Sequence, residues 1–152
     1  MVHYSLLTEL LDLPNVRVIH YQLVGPHRLN VSIESTQEAA ICPTCHQVSL
    51  SVHEQGEVQM MRDLPIWNRS CWLCYRPRRF ECATCSNTFV ERVAWREPGF
   101  DYTVRYEEYI YEQVRRESVA QVAQDERLSE NTVQGIFERW AKKRSPNAAI
   151  PA

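Results

Sequence analysis

Along the 152-residue chain the spacing of apolar positions changes character once, near residue 100. In SLLTELLDL (5–13) Leu6, Leu7, Leu10, Leu11 and Leu13 fall near a helical stripe, which Pro14 ends. VRVIHYQLV (16–24) and RLNVSIES (28–35) are β-branched and partly alternating, and Gly25-Pro26 between them predicts a β-hairpin. Between 46 and 81 lie further strand-like pieces, SLSVHE and SCWLCYRPRRFEC, separated by Gly56 and by Asp63-Leu64-Pro65. NTFVERV (87–93) closes this half, and Arg96-Glu97-Pro98-Gly99 has the composition of a linker. From Thr103 to Lys143 the period is helical throughout.

The helical half is the more regular. A first helix over about 103–116 supplies Tyr106, Tyr109, Ile110 and Val114 to a core. Ser118 with Gln121 forms a capping box ahead of Val119, Val122 and Ala123. After a break at 125–128, Ser129 caps a helix in which Val133, Ile136, Phe137 and Trp140 recur at i, i+3, i+4, i+7. Ala123, Leu128, Val133 and Ile136 stand at the offsets of a helix-turn-helix, with Arg127 at the turn position that often holds Gly. In that geometry the last helix enters the major groove of duplex DNA. Its polar face carries Glu130, Asn131, Gln134 and Glu138, flanked by Thr132 and Arg139; Asn and Gln pair with adenine, Arg with guanine, and Glu accepts from cytosine. Lys142, Lys143 and Arg144 at its end are candidates for phosphate contacts.

Six cysteines form three CxxC pairs, Cys42/Cys45, Cys71/Cys74 and Cys82/Cys85. A tetrahedral structural zinc site takes four thiolates, so one pair has another role. The outer pairs have tight-turn surroundings. Cys71 and Cys74 lie in an apolar strand, where residues three apart point to opposite faces and cannot share an ion, so they read as buried small hydrophobes. The expected ligands of one Zn2+ are therefore Cys42, Cys45, Cys82 and Cys85, with His46 and His53 as lesser candidates. The 36 residues (46–81) between the pairs exceed the usual 15–20 of a two-knuckle ribbon, which is tolerable if the insert is itself a hairpin. Haem attachment at CPTCH needs export, and a redox CxxC needs a βαβ setting; neither condition is met.

Taken together, the pattern predicts an α+β chain. Residues 1–96 form a β-hairpin plus zinc-ribbon domain, 97–145 a three-helix helix-turn-helix domain, and 146–152 a disordered tail.

Composition adds the setting. With 44% hydrophobic and 24% charged residues the chain is globular, and Glu9 and Asp12 exclude a secretory h-region from the first helix. A cytoplasmic protein with reduced thiols and no membrane partner is expected. The net charge of −2 hides an uneven distribution: −4 over 1–61, +4 over 62–96, −5 over 97–137 and +3 over 138–152. The two basic blocks suit a polyanion, because local field rather than net charge steers association.

The order ICPTCHQVSLSVHEQG, MRDLP, RPRRFECATC, TFVERV and then SVAQVAQDERLSENTVQGIFERW resembles the zinc finger and helix-turn-helix of bacterial insertion-sequence transposases of the IS-L-three family, over roughly residues 14–145. The resemblance implies that Cys42, Cys45, Cys82 and Cys85 hold zinc and that Arg62-Asp63-Leu64-Pro65 braces the hairpin. It implies duplex DNA as partner and the terminal inverted repeats of an element as target. Arg76, Arg78 and Arg79, with Arg62 and Arg69 nearby, are the expected backbone contacts of the ribbon. Such transposases continue into a catalytic domain whose three acidic residues hold two metal ions, and this sequence stops before it. No enzymatic activity is expected of the chain alone, its acids at 97–137 being read as solvent-facing. Rival readings are a promoter-binding regulator and a zinc-ribbon protein–protein adaptor whose helices dimerise; a homodimer is left open.

Overall fold

A computed structural model describes residues 4–145; the tail expected to be disordered, 146–152, lies outside them. The chain divides into two compact units between Asp101 and Tyr102. In order, the first unit holds α1 (Ser5–Leu11), β1 (Val16–Val24), β2 (Arg28–Ser35), β3 (Ala40–Ile41), β4 (Val48–Ser49), β5 (Ser51–Gln55), β6 (Gln59–Ile66), β7 (Arg69–Tyr75), β8 (Arg78–Glu81) and β9 (Thr88–Val90). The second holds α2 (Val104–Val114), α3 (Val119–Glu126) and α4 (Glu130–Arg144). The α+β class read from the sequence is the class observed.

Alternation builds the first unit. In β2 and β7, Leu29, Val31 and Ile33 and then Cys71, Leu73 and Tyr75 take every second position and are buried. The two strands pair in parallel, Leu29 opposite Cys71 and Val31 opposite Leu73, within a four-stranded sheet of order β1-β2-β7-β6. The insert between the cysteine pairs is thus a hairpin, β6–β7, which extends the N-terminal hairpin into a larger sheet. Leu11 of α1, Met61 and Trp95 close the same core. Cys71 is buried in it, and Cys74 is on the opposite face beside Arg28 and Ser32, as the strand period requires. Burial pushes the Cys74 thiol up, partly offset by the Arg28 charge.

A smaller ribbon carries its own core of Ala40, Cys42, Phe80, Cys82 and Phe89, with Phe80 and Phe89 stacked at 6.0 Å. Here β5 pairs with β8 and β8 with β9, all antiparallel. The segment expected to be a linker is bonded into this unit: Arg96 Nε donates to Phe100 O (2.8 Å), its Nη1 to Gln59 (2.6 Å), and Arg62 N to Asp101 O (2.9 Å). These bonds carry the first unit past the expected break at residue 96.

In the second unit each helix begins at a side-chain cap. Thr103, Ser118 and Ser129 accept from the N–H groups of Tyr106, Gln121 and Thr132, each cap being worth about 1 kcal/mol. The capping box is only half formed, because the Gln121 amide bonds Asp125 instead (2.8 Å). Arg127 ends α3 in the left-handed region (φ 55°), the conformation for which Gly is the usual residue. Tyr106, Ile110, Val122, Ala123, Val133 and Ile136 form the buried face. Tyr109, Val114, Phe137 and Trp140 are half-buried around it.

Candidate metal centre and nucleic-acid interface

The two outer CxxC pairs adopt the same local geometry. Cys42 N–H donates to Gln47 O (2.9 Å) and His46 N–H returns to Cys42 O (2.9 Å). In the second turn Cys82 N–H donates to Asn87 O (2.8 Å) and Ser86 N–H to Cys82 O (2.9 Å). His46 (φ 62°) and Ser86 (φ 63°) occupy equivalent left-handed positions, and Asn87 Nδ2 donates to Thr44 Oγ1 (3.1 Å) to tie the turns together. Each turn bends the chain hard enough to aim both of its sulfurs at one point.

The sulfurs converge. Cys42 and Cys85 Sγ lie 3.6 Å apart, Cys45 and Cys82 Sγ 3.5 Å, and all four fall within 4.8 Å of one another. A tetrahedral ion with Zn–S bonds of about 2.3 Å spaces its ligands by about 3.8 Å, so the cage has the size zinc needs. Backbone N–H groups prepare it. Those of Cys85 and Thr84 hold Cys82 down at about 6, and those of Cys45 and Thr44 lower Cys42. Cys45 and Cys85 accept from Gln47 and Asn87, but burial and the adjacent sulfurs outweigh this, and Cys45 is pushed up to about 12. A bound cation reverses that repulsion and deprotonates the thiols it coordinates. With four protein ligands no position is left for a catalytic water, so the ion is structural. His46 and His53 stand outside this set; His53 Nδ1 is 3.8 Å from Glu81 instead.

The polar face of α4 lies open to solvent. Glu130, Asn131, Gln134 and Glu138 are exposed on α4, Gln134 Nε2 donating to Glu138 (2.8 Å), and Thr132 is half-buried beside them. Gly135 faces open space, so packing does not demand it. Lys142 and Lys143 are exposed at the helix end.

Several arginines expected on DNA are committed elsewhere. Arg139 Nη2 donates to both oxygens of Glu107, a carboxylate buried in the bundle. Arg144 pairs with Glu108 (2.6 Å) and Glu112 (2.7 Å) and lies over Tyr111 and Trp140. Arg78 donates from Nε and Nη2 to Glu91, whose side chain is 0% exposed, at 2.7 Å each, and to Gln37 O (2.6 Å). Arg62 is buried, its guanidinium 5.7 Å from the Trp72 ring, which suits the bracing role of Arg62-Asp63 rather than a phosphate contact. Arg69, Arg76 and Arg79 remain closer to solvent: Arg69 donates to Gly25 O (3.0 Å), Arg76 to Gly56 O (3.4 Å), and Arg79 is 3.3 Å from exposed Glu54.

Glu107 corrects the reading of the acids at 97–137 as solvent-facing, and Glu91, which lies before that stretch, is buried as well. Glu107 stands on the buried face of α2, four residues after Thr103 and three before Ile110, and Glu91 continues the alternation of β9 just past its end, two residues after Phe89. That placement was the signal available for them.

A four-thiolate ribbon followed by a capped helix-turn-helix defines a zinc-binding, DNA-binding protein. Residues 38–85 match the family model described as the zinc-finger of transposase IS204/IS1001/IS1096/IS1165, and residues 91–141 match the helix-turn-helix domain of transposase family ISL3. The chain therefore carries the zinc-finger and helix-turn-helix region of an ISL3 transposase. No curated protein and no solved structure matches it. Among the described residues no helix is long and apolar enough to cross a membrane.

Proposed function

We propose that the chain recognises the terminal inverted repeats of an insertion sequence, as the DNA-binding part of a transposase acting in the cytoplasm. Glu130, Asn131, Thr132 and Gln134 on α4 read base edges, while Lys142, Lys143, Arg69, Arg76 and Arg79 hold phosphates; base contacts specify and phosphate contacts position. In this reading the chain supplies recognition and no strand cleavage, which needs carboxylates converged on two metal ions. The observation that carries the reading is the co-occurrence of the convergent four-sulfur cage with an exposed Asn131/Gln134 face on a helix-turn-helix. Selection of binding sites from random duplex DNA tests it. Recovered sequences should match the ends of the element that encodes the chain; enrichment of a promoter sequence elsewhere would favour a regulator, and no enrichment would remove the reading.

A further inference from the structure

Trp67 is the first residue of the two-residue loop joining β6 to β7, between the paired Ile66 and Arg69. It is 92% exposed, more than any other large apolar residue described, the next being Leu50 at 75%. Its backbone is at φ 53°, a region that bulky residues rarely enter and that hairpin loops ordinarily fill with Gly, Asn or Asp. Neither folding nor local backbone preference accounts for tryptophan here, and strain of this kind gathers at functional positions.

The surroundings point to a polyanion. Because β2 and β7 run parallel, their preceding turns lie side by side at one end of the sheet. Ser70 N and Oγ both donate to His27 O (2.8 and 3.1 Å), and Arg69 Nη1 donates to Gly25 O (3.0 Å). Arg28 reaches from the same end across the Trp72 ring, its guanidinium 4.6 Å from the ring centroid. Between Val16 and Ile33, and again between Leu64 and Phe80, the sequence contains no Asp or Glu, and the arginines at the turn end of these stretches are Arg28 and Arg69. The nearest acid along β6, Asp63, is buried.

We infer that this paired-turn tip is a second, sequence-independent DNA contact, in which Trp67 stacks on or wedges between bases while Arg69 and Arg28 hold the flanking phosphates. An aromatic on a base is worth a similar amount for every base, since each presents a π-face, and apolar wedges at base steps are an established means of bending duplexes. A protein partner of ordinary surface would offer no reason to exclude acids from both turns. The inference rests on the DNA-binding reading above but uses a surface remote in sequence from α4, so the two can fail separately.

The test is equilibrium binding of the full zinc-loaded chain to a fluorescent duplex of random sequence, comparing wild type with Trp67→Ala, Trp67→Phe and Trp67→Gly. Zinc content and thermal midpoint serve as controls for folding. Trp67→Ala and Trp67→Gly should each lose about ten-fold in affinity, and Trp67→Phe should keep most of it. Trp67→Gly should also raise the thermal midpoint by relieving the loop. Wild type binding with all variants equal to it would overturn the inference and leave the function standing. Wild type failing to bind the random duplex would also overturn the inference, while the selection of binding sites decides the proposed function separately. Trp67-dependent binding to anionic phospholipid vesicles, without a Trp67 effect on DNA, would overturn it in favour of a membrane surface.

Discussion

Replacing Arg78 by Ala separates a structural arginine from a DNA contact. Arg78 is 15% exposed at its side chain and Glu91 0%. Both Glu91 oxygens are in use: Oε1 accepts from Arg78 Nε (2.7 Å) and Tyr75 Oη (2.8 Å), Oε2 from Arg78 Nη2 (2.7 Å) and Ser35 Oγ (3.3 Å). The pair is strong enough to raise Arg78 above its ordinary value, and burial with the Glu91 contact raises Tyr75 as well. Removing the guanidinium leaves a carboxylate in the interior, which costs about 3–5 kcal/mol. A surface phosphate contact removed in the same way changes stability by no more than about 0.5 kcal/mol. For a unit of roughly a hundred residues, 3 kcal/mol corresponds to a fall in midpoint of about 15 °C. Thermal unfolding followed by circular dichroism, with zinc in excess, measures it. The double change Arg78→Met with Glu91→Gln should recover much of the loss, because no charge is then stranded. An Arg78→Ala protein that melts with wild type, but whose DNA binding loses about one unit of salt slope, would refute the reasoning and restore Arg78 to the interface.

Three further outcomes follow from the geometry. Cys42→Ser or Cys82→Ser should abolish stoichiometric zinc by metal analysis and unfold the ribbon, whereas Cys71→Ser should leave zinc at one per chain and cost about 1–3 kcal/mol through a hydroxyl in the core. Arg139→Ala should destabilise the helical unit through stranded Glu107 while weakening all DNA sequences alike, and Asn131→Ala with Gln134→Ala should spare stability and lower discrimination between sequences in competition binding. Arg127→Gly should stabilise the helical unit by up to about 1 kcal/mol in urea unfolding, since the residue is exposed and left-handed; a loss of stability there would mean the side chain contributes more than its backbone costs.

The zinc cage was legible because ligation is a local matter: each CxxC turn is written in four residues, and the strand period alone separated Cys71 and Cys74 from the ion. The helices were legible for the same reason, from Thr103, Ser118 and Ser129 at their starts to Ile136 on the buried stripe. The partner of β7 was not. Alternation puts Cys71, Leu73 and Tyr75 on one face but does not say whether that face meets β2, so the parallel pairing and the four-stranded sheet came from structure. Charged residues misled in a consistent way. Arg78, Arg139 and Arg144 look like surface cations when read singly, because their partners lie 13, 32 and 32–36 residues away. Glu107 weighed by the period of α2, and Glu91 by the alternation of the strand it follows, point to two of those pairs. Trp67 stood outside the strand-like runs, and only the register of Ile66 with Arg69 makes it the exposed tip of a hairpin.

In the proposed function a zinc-stiffened ribbon and a helix-turn-helix grip a duplex through exposed cations. Binding of duplex DNA across salt from about 50 to 300 mM tests it most directly. About five phosphate contacts, at Lys142, Lys143, Arg69, Arg76 and Arg79, predict that log K falls against log salt with a slope of about −4 to −5. A slope near zero, or binding unchanged after chelation of the metal, would contradict it.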